Sequence, residues 1–228
     1  MKVSIVIPAF NEARTIEELL ERVAALPLDL ELIVVDDGST DETPAILERV
    51  GEGRDDFVVV RRQNGGKGAA LRAGIARVTG EIAVFQDADL EYDPAEIPSL
   101  IEPIVRGAAD VVYGSRLSGG RPQRAYLFWH LVGNRFLNLL TGVLYNTTLS
   151  DMETGYKAFR ADILRSLELR ENGFGIEPEI TAKVCKRKLR VYEVPISYFG
   201  RTYDEGKKIT WRDGFRAVWV LLRVRVEP

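Results

Sequence analysis

The chain has 228 residues, enough for one large α/β domain or a domain with an appendage, and its 46% hydrophobic and 29% charged residues are ordinary for a globular protein. A formal net charge of −3 supplies no basic field for nucleic acid. A single cysteine, Cys185, excludes an internal disulfide and a cysteine-rich zinc site, and a single histidine, His130, excludes multi-histidine metal sites; the chemistry must rest on carboxylates, arginines, lysines and backbone.

Residues 3–7 read as a short apolar strand, which Pro8 stops too early for the hydrophobic region of a signal peptide. Ile16, Leu19, Leu20 and Val23 recur at helical spacing and predict a helix over 12–26, with Asn11 as its cap. A central-type strand over 30–35 ends in Asp36 and Asp37. Gly38 then allows a tight turn, and Ser39, Thr40 or Asp41 caps a helix over 42–50. A third strand over 57–60 leads through Gly65-Gly66-Lys67-Gly68 to a helix over 69–78, and a fourth strand ends at Phe85. A helix over 95–106 and a strand over 110–113, followed by Gly114-Ser115-Arg116, close this half.

Strand and helix alternate four times before that last strand. Right-handed crossovers turn such a pattern into an open parallel sheet with helices on both faces. Ligands then bind beyond the C-terminal strand ends. Asp36, Asp37, Asp87, Asp89 and Arg116 all fall at such ends. In Asp87-Ala88-Asp89-Leu90-Glu91 the first two acids sit one residue apart and are expected to point the same way. Like charges that close repel unless a cation lies between them, and hard divalent cations take carboxylate and phosphate oxygens. A metal–diphosphate site, with Ala88 against the substrate, is the reading this favours over two solvated acids. Gly65 to Gly68 lacks the full phosphate-loop spacing. It is either a plain turn or a substrate-lining loop in which Gly66 and Lys67 meet the ligand.

Beyond Arg116 the pattern changes. Residues 126–144 are dense in aromatic and aliphatic side chains, with His130, Asn134, Asn138 and Thr141 forming a narrow polar stripe. This is either a core helix or a helix lying in a membrane interface, with Arg121, Arg124 and Arg135 near lipid phosphates. Residues 151–159 read as a polar turn entering a strand-like run. Short helices over 162–167 and 177–186 and a strand over 190–194 follow. In the tail, Trp211, Phe215, Val218, Trp219 and Leu222 share a helical face with Arg212, Arg216 and Arg223 off it. That suits an interfacial helix or one docked on the domain. The expected division is a catalytic domain over 1–208 and an amphipathic helix over 209–228. No stretch is long and apolar enough to span a bilayer, and the chain reads as cytoplasmic, peripheral on a membrane.

Four motifs coincide: Ile5-Val6-Ile7-Pro8-Ala9-Phe10-Asn11-Glu12, Val34-Val35-Asp36-Asp37-Gly38-Ser39-Thr40-Asp41, Asp87-Ala88-Asp89, and the segment from Asp151 to Phe159. Together they resemble the family-2 glycosyltransferases of GT-A fold, and within them the polyprenyl-phosphate sugar synthases that make dolichol-phosphate mannose and glucose. The subgroup likeness rests on Gly114-Ser115-Arg116, the Asp151 segment, and Arg201 with Lys207 six residues on.

The resemblance implies a mostly parallel sheet, Mg²⁺ or Mn²⁺, a nucleotide-sugar donor and a polyprenyl-phosphate acceptor. It implies that Pro8, Phe10, Glu12, Asp36 and Asp37 line the nucleoside pocket. Asp87, Asp89 and Glu91 then meet the metal, while Arg116, Arg201 and Lys207 neutralise phosphate. Arg135 is a looser candidate for the acceptor phosphate. Many relatives carry membrane-spanning helices after this domain; here the interfacial helices are expected to hold the lipid.

In physical terms, a cation and fixed positive charges stabilise a departing diphosphate. A phosphate acceptor is already anionic, whereas an alcohol would need a base, with Asp151 or a neighbouring acid the candidate. The competing readings are a family-2 enzyme acting on a soluble glycan or alcohol, a nucleotidyltransferase, and a non-catalytic nucleotide-binding module.

Overall fold

The computed structural model describes residues 1–124, 128–201 and 210–227. Its strands are β1 (Lys2–Ala9), β2 (Asp29–Asp36), β3 (Phe57–Arg61), β4 (Ile82–Phe85), β5 (Val111–Ser115), β6 (Lys157–Arg160) and β7 (Val191–Pro195). Its helices are α1 (Ile16–Ala24), α2 (Thr43–Gly51), α3 (Lys67–Ile75), α4 (Ile97–Val105), α5 (Phe128–Tyr145), α6 (Ala161–Ser166), α7 (Ile176–Lys186) and α8 (Trp211–Val226). The strands form one sheet in the order β3-β2-β1-β4-β6-β5-β7.

All strands run parallel except β6, which lies antiparallel between β4 and β5. The mostly parallel sheet that was expected is what forms, with β6 as its one reversed strand, which the sequence does not single out because a hydrophobic run marks a strand but not its neighbours. The reversal has a consequence for the site. A strand running against the others begins where they end, so Lys157 pairs with Phe85 and Tyr113 at the C-terminal edge. The residues that lead into β6 are thereby delivered to the same edge as Asp87 and Arg116.

Alternation along the strands fills both faces. Ile5, Ile7, Leu32, Val34, Val84 and Val112 pack under α1, α2 and α4, while Val6, Ile33, Val35, Phe85 and Tyr113 pack under α3, α6 and α7. A third cluster joins Leu137 of α5, Ala182 of α7 and Met152 to Ala217, Val220, Leu221 and Val224 of α8. Arg216 and Arg223 of α8 also pair with the buried Glu171, at 3.0 Å each.

One helix start differs from expectation. Asn11 does not cap the first helix. Its backbone is left-handed (φ 55°), its side-chain oxygen accepts from the Thr40 N–H at 2.8 Å, and Thr15 is the residue before the helix. Asp41, by contrast, does accept from the Thr43 N–H at 3.0 Å at the start of α2. Among the described residues, no helix is long and apolar enough to cross a membrane.

Candidate active site

The C-terminal ends of β1, β2, β4 and β5, with the turn before β6, bring the expected residues to one edge. Asp36 and Asp37 are buried there. The Asp36 carboxylate accepts from the Ser39 N–H at 2.9 Å. Asp37 accepts from the N–H groups of Gly65 (3.1 Å) and Gly66 (2.7 Å) and from Arg62, so it anchors the glycine loop. That loop is not a plain turn. Gly66 has φ +93°, and a Cβ on Gly68 would stand 2.4 Å from the Glu171 carbonyl oxygen. Only glycine allows this close approach. The loop hands Lys67 to the first turn of α3 with its ammonium facing the site.

The Lys67 ammonium lies 2.8 Å from Asp87 Oδ1, 2.9 Å from Asp87 Oδ2 and 3.2 Å from Glu177. Burial alone would lower its pKa; the charges of Asp87 and Glu177 raise it instead. Asp89 faces a different cation, accepting from Arg201 Nη2 at 2.9 Å. The same guanidinium donates to Glu12 Oε2 at 3.2 Å. Ala88, buried between the two acids, has its carbonyl tied to Thr15 Oγ1 at 2.8 Å.

Glu91 takes a different course from the pair that precedes it. Leu90 adopts φ +58°, a conformation sterically costly for a bulky side chain. The chain turns there, so the alternation that aligns side chains in an extended segment does not continue to Glu91. Its carboxylate accepts from Tyr198 OH at 2.8 Å and from the Arg201 N–H at 2.7 Å. Among the described residues, no three His, Cys, Asp or Glu side chains gather into a metal-holding group.

The donor set nevertheless suits a divalent cation. Asp87 pairs with Lys67, and Glu12, Asp89 and Glu91 crowd around Arg201, so carboxylates outnumber the cations beside them. Burial and the charges of Asp87 and Glu91 push Asp89 up to about 7, against the pull of Arg201. Partly buried carboxylate oxygens of Asp87 and Asp89, close enough that Asp87 raises the cost of ionising Asp89, are the hard donors that Mg²⁺ or Mn²⁺ takes together with phosphate oxygens.

Arg116 and Asp151 meet each other. The guanidinium holds the fully buried carboxylate with two bonds of 2.7 Å, and the Arg116 N–H adds a third at 2.9 Å. Asp151 is thus already engaged, which weighs against it as a general base, and the outer face of Arg116 stacks on Tyr198. Pro8 and Phe10 lie half-buried at the end of β1, and Glu12 is buried beside Arg201. Arg135 is exposed on α5, and Lys207 lies outside the described residues.

Sequence reasoning passed over Gly155, Lys157 and Glu177. A Cβ on Gly155 would lie 2.4 Å from Asp87 Oδ2 and 2.8 Å from Lys67 Nζ. Lys157 is fully buried and paired with Glu177. The available signal was a lysine opening an apolar strand between Tyr156 and Ala158, a place that demands a buried counter-charge.

Residues 4–167 match the family model described as Glycosyl transferase family 2. A dolichol-phosphate mannosyltransferase of Pyrococcus furiosus is 32% identical over 213 residues, 91% of this chain and 59% of that protein. An undecaprenyl-phosphate mannosyltransferase of Micrococcus luteus is 30% identical over 250 residues, covering 99% of both. Against the first three curated relatives, the chain spans 52%, 59% and 66% of their length. Among solved structures, glucosyl-3-phosphoglycerate synthase of Mycobacterium tuberculosis with Mn²⁺, uridine diphosphate and phosphoglyceric acid has a TM-score of 0.74 at 25% identity, over 100% of this chain and 79% of that one. The same enzyme with Mg²⁺ and uridine diphosphate has a TM-score of 0.75 at 26% identity, over 100% of this chain and 80% of that one.

Proposed function

The chain belongs to glycosyl transferase family 2, and we propose that it moves a sugar, with inversion, from a nucleoside-diphosphate sugar to a polyprenyl phosphate at a membrane surface. The observation that carries the lipid acceptor is the way α5 sits. Its polar stripe faces the protein: Asn138 accepts from the Met152 N–H at 2.9 Å and Thr141 is buried. Its apolar face points outward through Phe128, Trp129, Val132, Phe136, Leu139 and Val143, with Trp129 79% exposed. The adjoining α8 likewise exposes Trp211, Phe215, Trp219 and Leu222, while Ala217, Val220 and Leu221 pack inward. The face expected for this helix is the outer one, with Val218 alone turned partly into the cluster. Contiguous exposed aromatic surface next to arginine fits an anionic lipid headgroup layer. Arg135 and Arg212 are the arginines that would meet it, on the cytoplasmic face of the membrane, while Arg216 stays paired with Glu171. The relatives named for undecaprenyl- and dolichol-phosphate transfer support the same acceptor.

In this reading Pro8, Phe10, Asp36 and Asp37 line the nucleoside, and Asp87 and Asp89 would hold a divalent cation with the donor's diphosphate. Glu91 is committed to Tyr198 OH and the Arg201 N–H and supports the site from that position. A cation bound there would supply Lewis-acid stabilisation of the departing diphosphate. Lys67 and Arg201 exchange carboxylate for phosphate oxygens, keeping positive charge where negative charge grows. Arg116 adds fixed charge from behind, oriented by Asp151, and the resemblance to the polyprenyl-phosphate sugar synthases gives Lys207 the same task. The acceptor phosphate is ionised near neutral pH, so the site needs no proton acceptor.

A soluble phosphate-bearing acceptor is the second reading, favoured by the phosphoglyceric acid bound to the M. tuberculosis structure. Calorimetry with UDP and GDP tests the donor half. Binding that requires Mg²⁺ or Mn²⁺ and is lost in Asp87→Asn is expected, and equal binding with and without metal removes the metal role.

A further inference from the structure

Lys157 and Glu177 form a charge pair with almost no solvent contact, 0% and 2% exposed. The Lys157 ammonium donates to Glu177 Oε2 and to the Thr154 carbonyl, and its outer side lies 4.9 Å from the Tyr113 ring centre. Burial lowers its pKa against the opposing pull of Glu177. Replacing such a pair by apolar side chains is often neutral or stabilising, so stability alone gives weak reason for it. The second Glu177 oxygen gives the reason. Among the described residues Oε1 accepts no hydrogen bond, yet it lies 3.2 Å from the Lys67 ammonium. The charges therefore alternate from the core to the site: Lys157, Glu177, Lys67, Asp87.

We propose that Glu177 is a positioning residue that holds Lys67 on the donor diphosphate once Asp87 turns to a metal ion. Lys67 has two anchors, and the function proposed above takes one away, because Asp87 cannot serve the cation and the ammonium equally. A lysine with four rotatable bonds and one lost partner would swing out to water. Glu177 prevents this, because its other oxygen is fixed by Lys157 from the interior. Glu177 itself touches neither donor nor acceptor; it acts through Lys67. Gly155 completes the arrangement, since its missing Cβ leaves the space in which Lys67 and Asp87 meet.

The inference rests on the donor site proposed above, and its test separates the two. Titrate UDP and GDP with Mn²⁺ into wild type, Glu177→Gln, Lys157→Met and the double variant Lys157→Met/Glu177→Met, and record the melting temperature of each. Wild type binds at least one nucleotide. Glu177→Gln weakens that binding about tenfold and raises the donor KM more than it lowers kcat. Lys157→Met takes away the interior bond that fixes Glu177 but leaves its contact with Lys67, so it weakens binding by less than Glu177→Gln does, even where its melting temperature falls. The double variant removes both buried charges and regains stability, yet stays as weak a binder as Glu177→Gln. A double variant that binds like wild type overturns the positioning role while leaving the donor site intact. A wild-type protein that binds neither nucleotide overturns the donor site, and this inference with it.

Discussion

Arg116 reaches across 35 positions to grip Asp151, its Nε 2.7 Å from Oδ2 and its Nη2 2.7 Å from Oδ1. Both residues stand out in the sequence as candidates to meet substrate, and the fold spends most of their capacity on each other. Asp151→Asn leaves the Arg116 guanidinium, with 12% of its side chain exposed, without its counter-charge. The expected loss of stability is about 3 kcal/mol, roughly 6–12 °C in melting temperature for a chain of this size. Calorimetric melting checks it. An unchanged melting temperature with abolished turnover would instead assign Asp151 to the acceptor.

Gly155→Ala separates activity from stability. The added methyl meets the ends of two side chains, Asp87 and Lys67, rather than backbone. Those ends can move, so the melting temperature is expected to fall by no more than about 4 °C. Moving them parts the Asp87–Lys67 pair at the centre of the donor site. Metal-dependent nucleotide affinity is therefore expected to drop about tenfold or more, read by titration calorimetry.

Glu153 predicts a pH dependence of stability. Burial and the nearby Glu177 push its carboxyl up to about 7 from 4.5, although Lys157 and Arg116 pull the other way. The folded state thus holds this proton across a range where the unfolded chain has released it. Stability from this group falls as pH rises from about 4.5 to about 7, and levels off above. Glu153→Gln removes the penalty, so it is expected to stabilise the protein by about 3 kcal/mol near pH 8 and hardly at all near pH 4. Urea midpoints of both proteins across that range check the sign. A variant equally stabilised at both ends contradicts it.

The exposed faces of α5 and α8 predict membrane binding that can be removed without touching the fold. Trp129 and Trp211 are 79% and 72% exposed. Replacing either with Ser is expected to leave stability within about 0.5 kcal/mol, as for most surface substitutions. Cosedimentation with vesicles containing anionic phospholipid is expected to weaken about tenfold for each. Unchanged cosedimentation would leave those faces to another partner.

The parallel half of the sheet was legible because β1, β2 and β4 are mainly apolar runs, as a strand covered on both faces needs, although β1 continues through Pro8, which was expected to stop it, to Ala9. The place of β6 was not. Its four residues look like any short strand, and only pairing with both β4 and β5 reveals that it begins at the site edge. The acid pair Asp87 and Asp89 was found by spacing, whereas the direction of Glu91 depends on the backbone turn at Leu90, which nothing in its side chain announces. The Arg116–Asp151 and Lys157–Glu177 pairs join residues far apart in the chain, so spacing rules cannot reach them. For α5 the apolar periodicity was visible, but which face turned outward was decided by the cluster around Leu137 and α8.

The most direct test measures nucleoside diphosphate release from UDP- and GDP-sugars, with Mg²⁺ or Mn²⁺, in vesicles with and without undecaprenyl phosphate. Release that needs both the metal and the lipid phosphate, with the sugar recovered on the lipid, is the predicted result. Release at the same rate without the lipid, or with phosphoglycerate in its place, would contradict it.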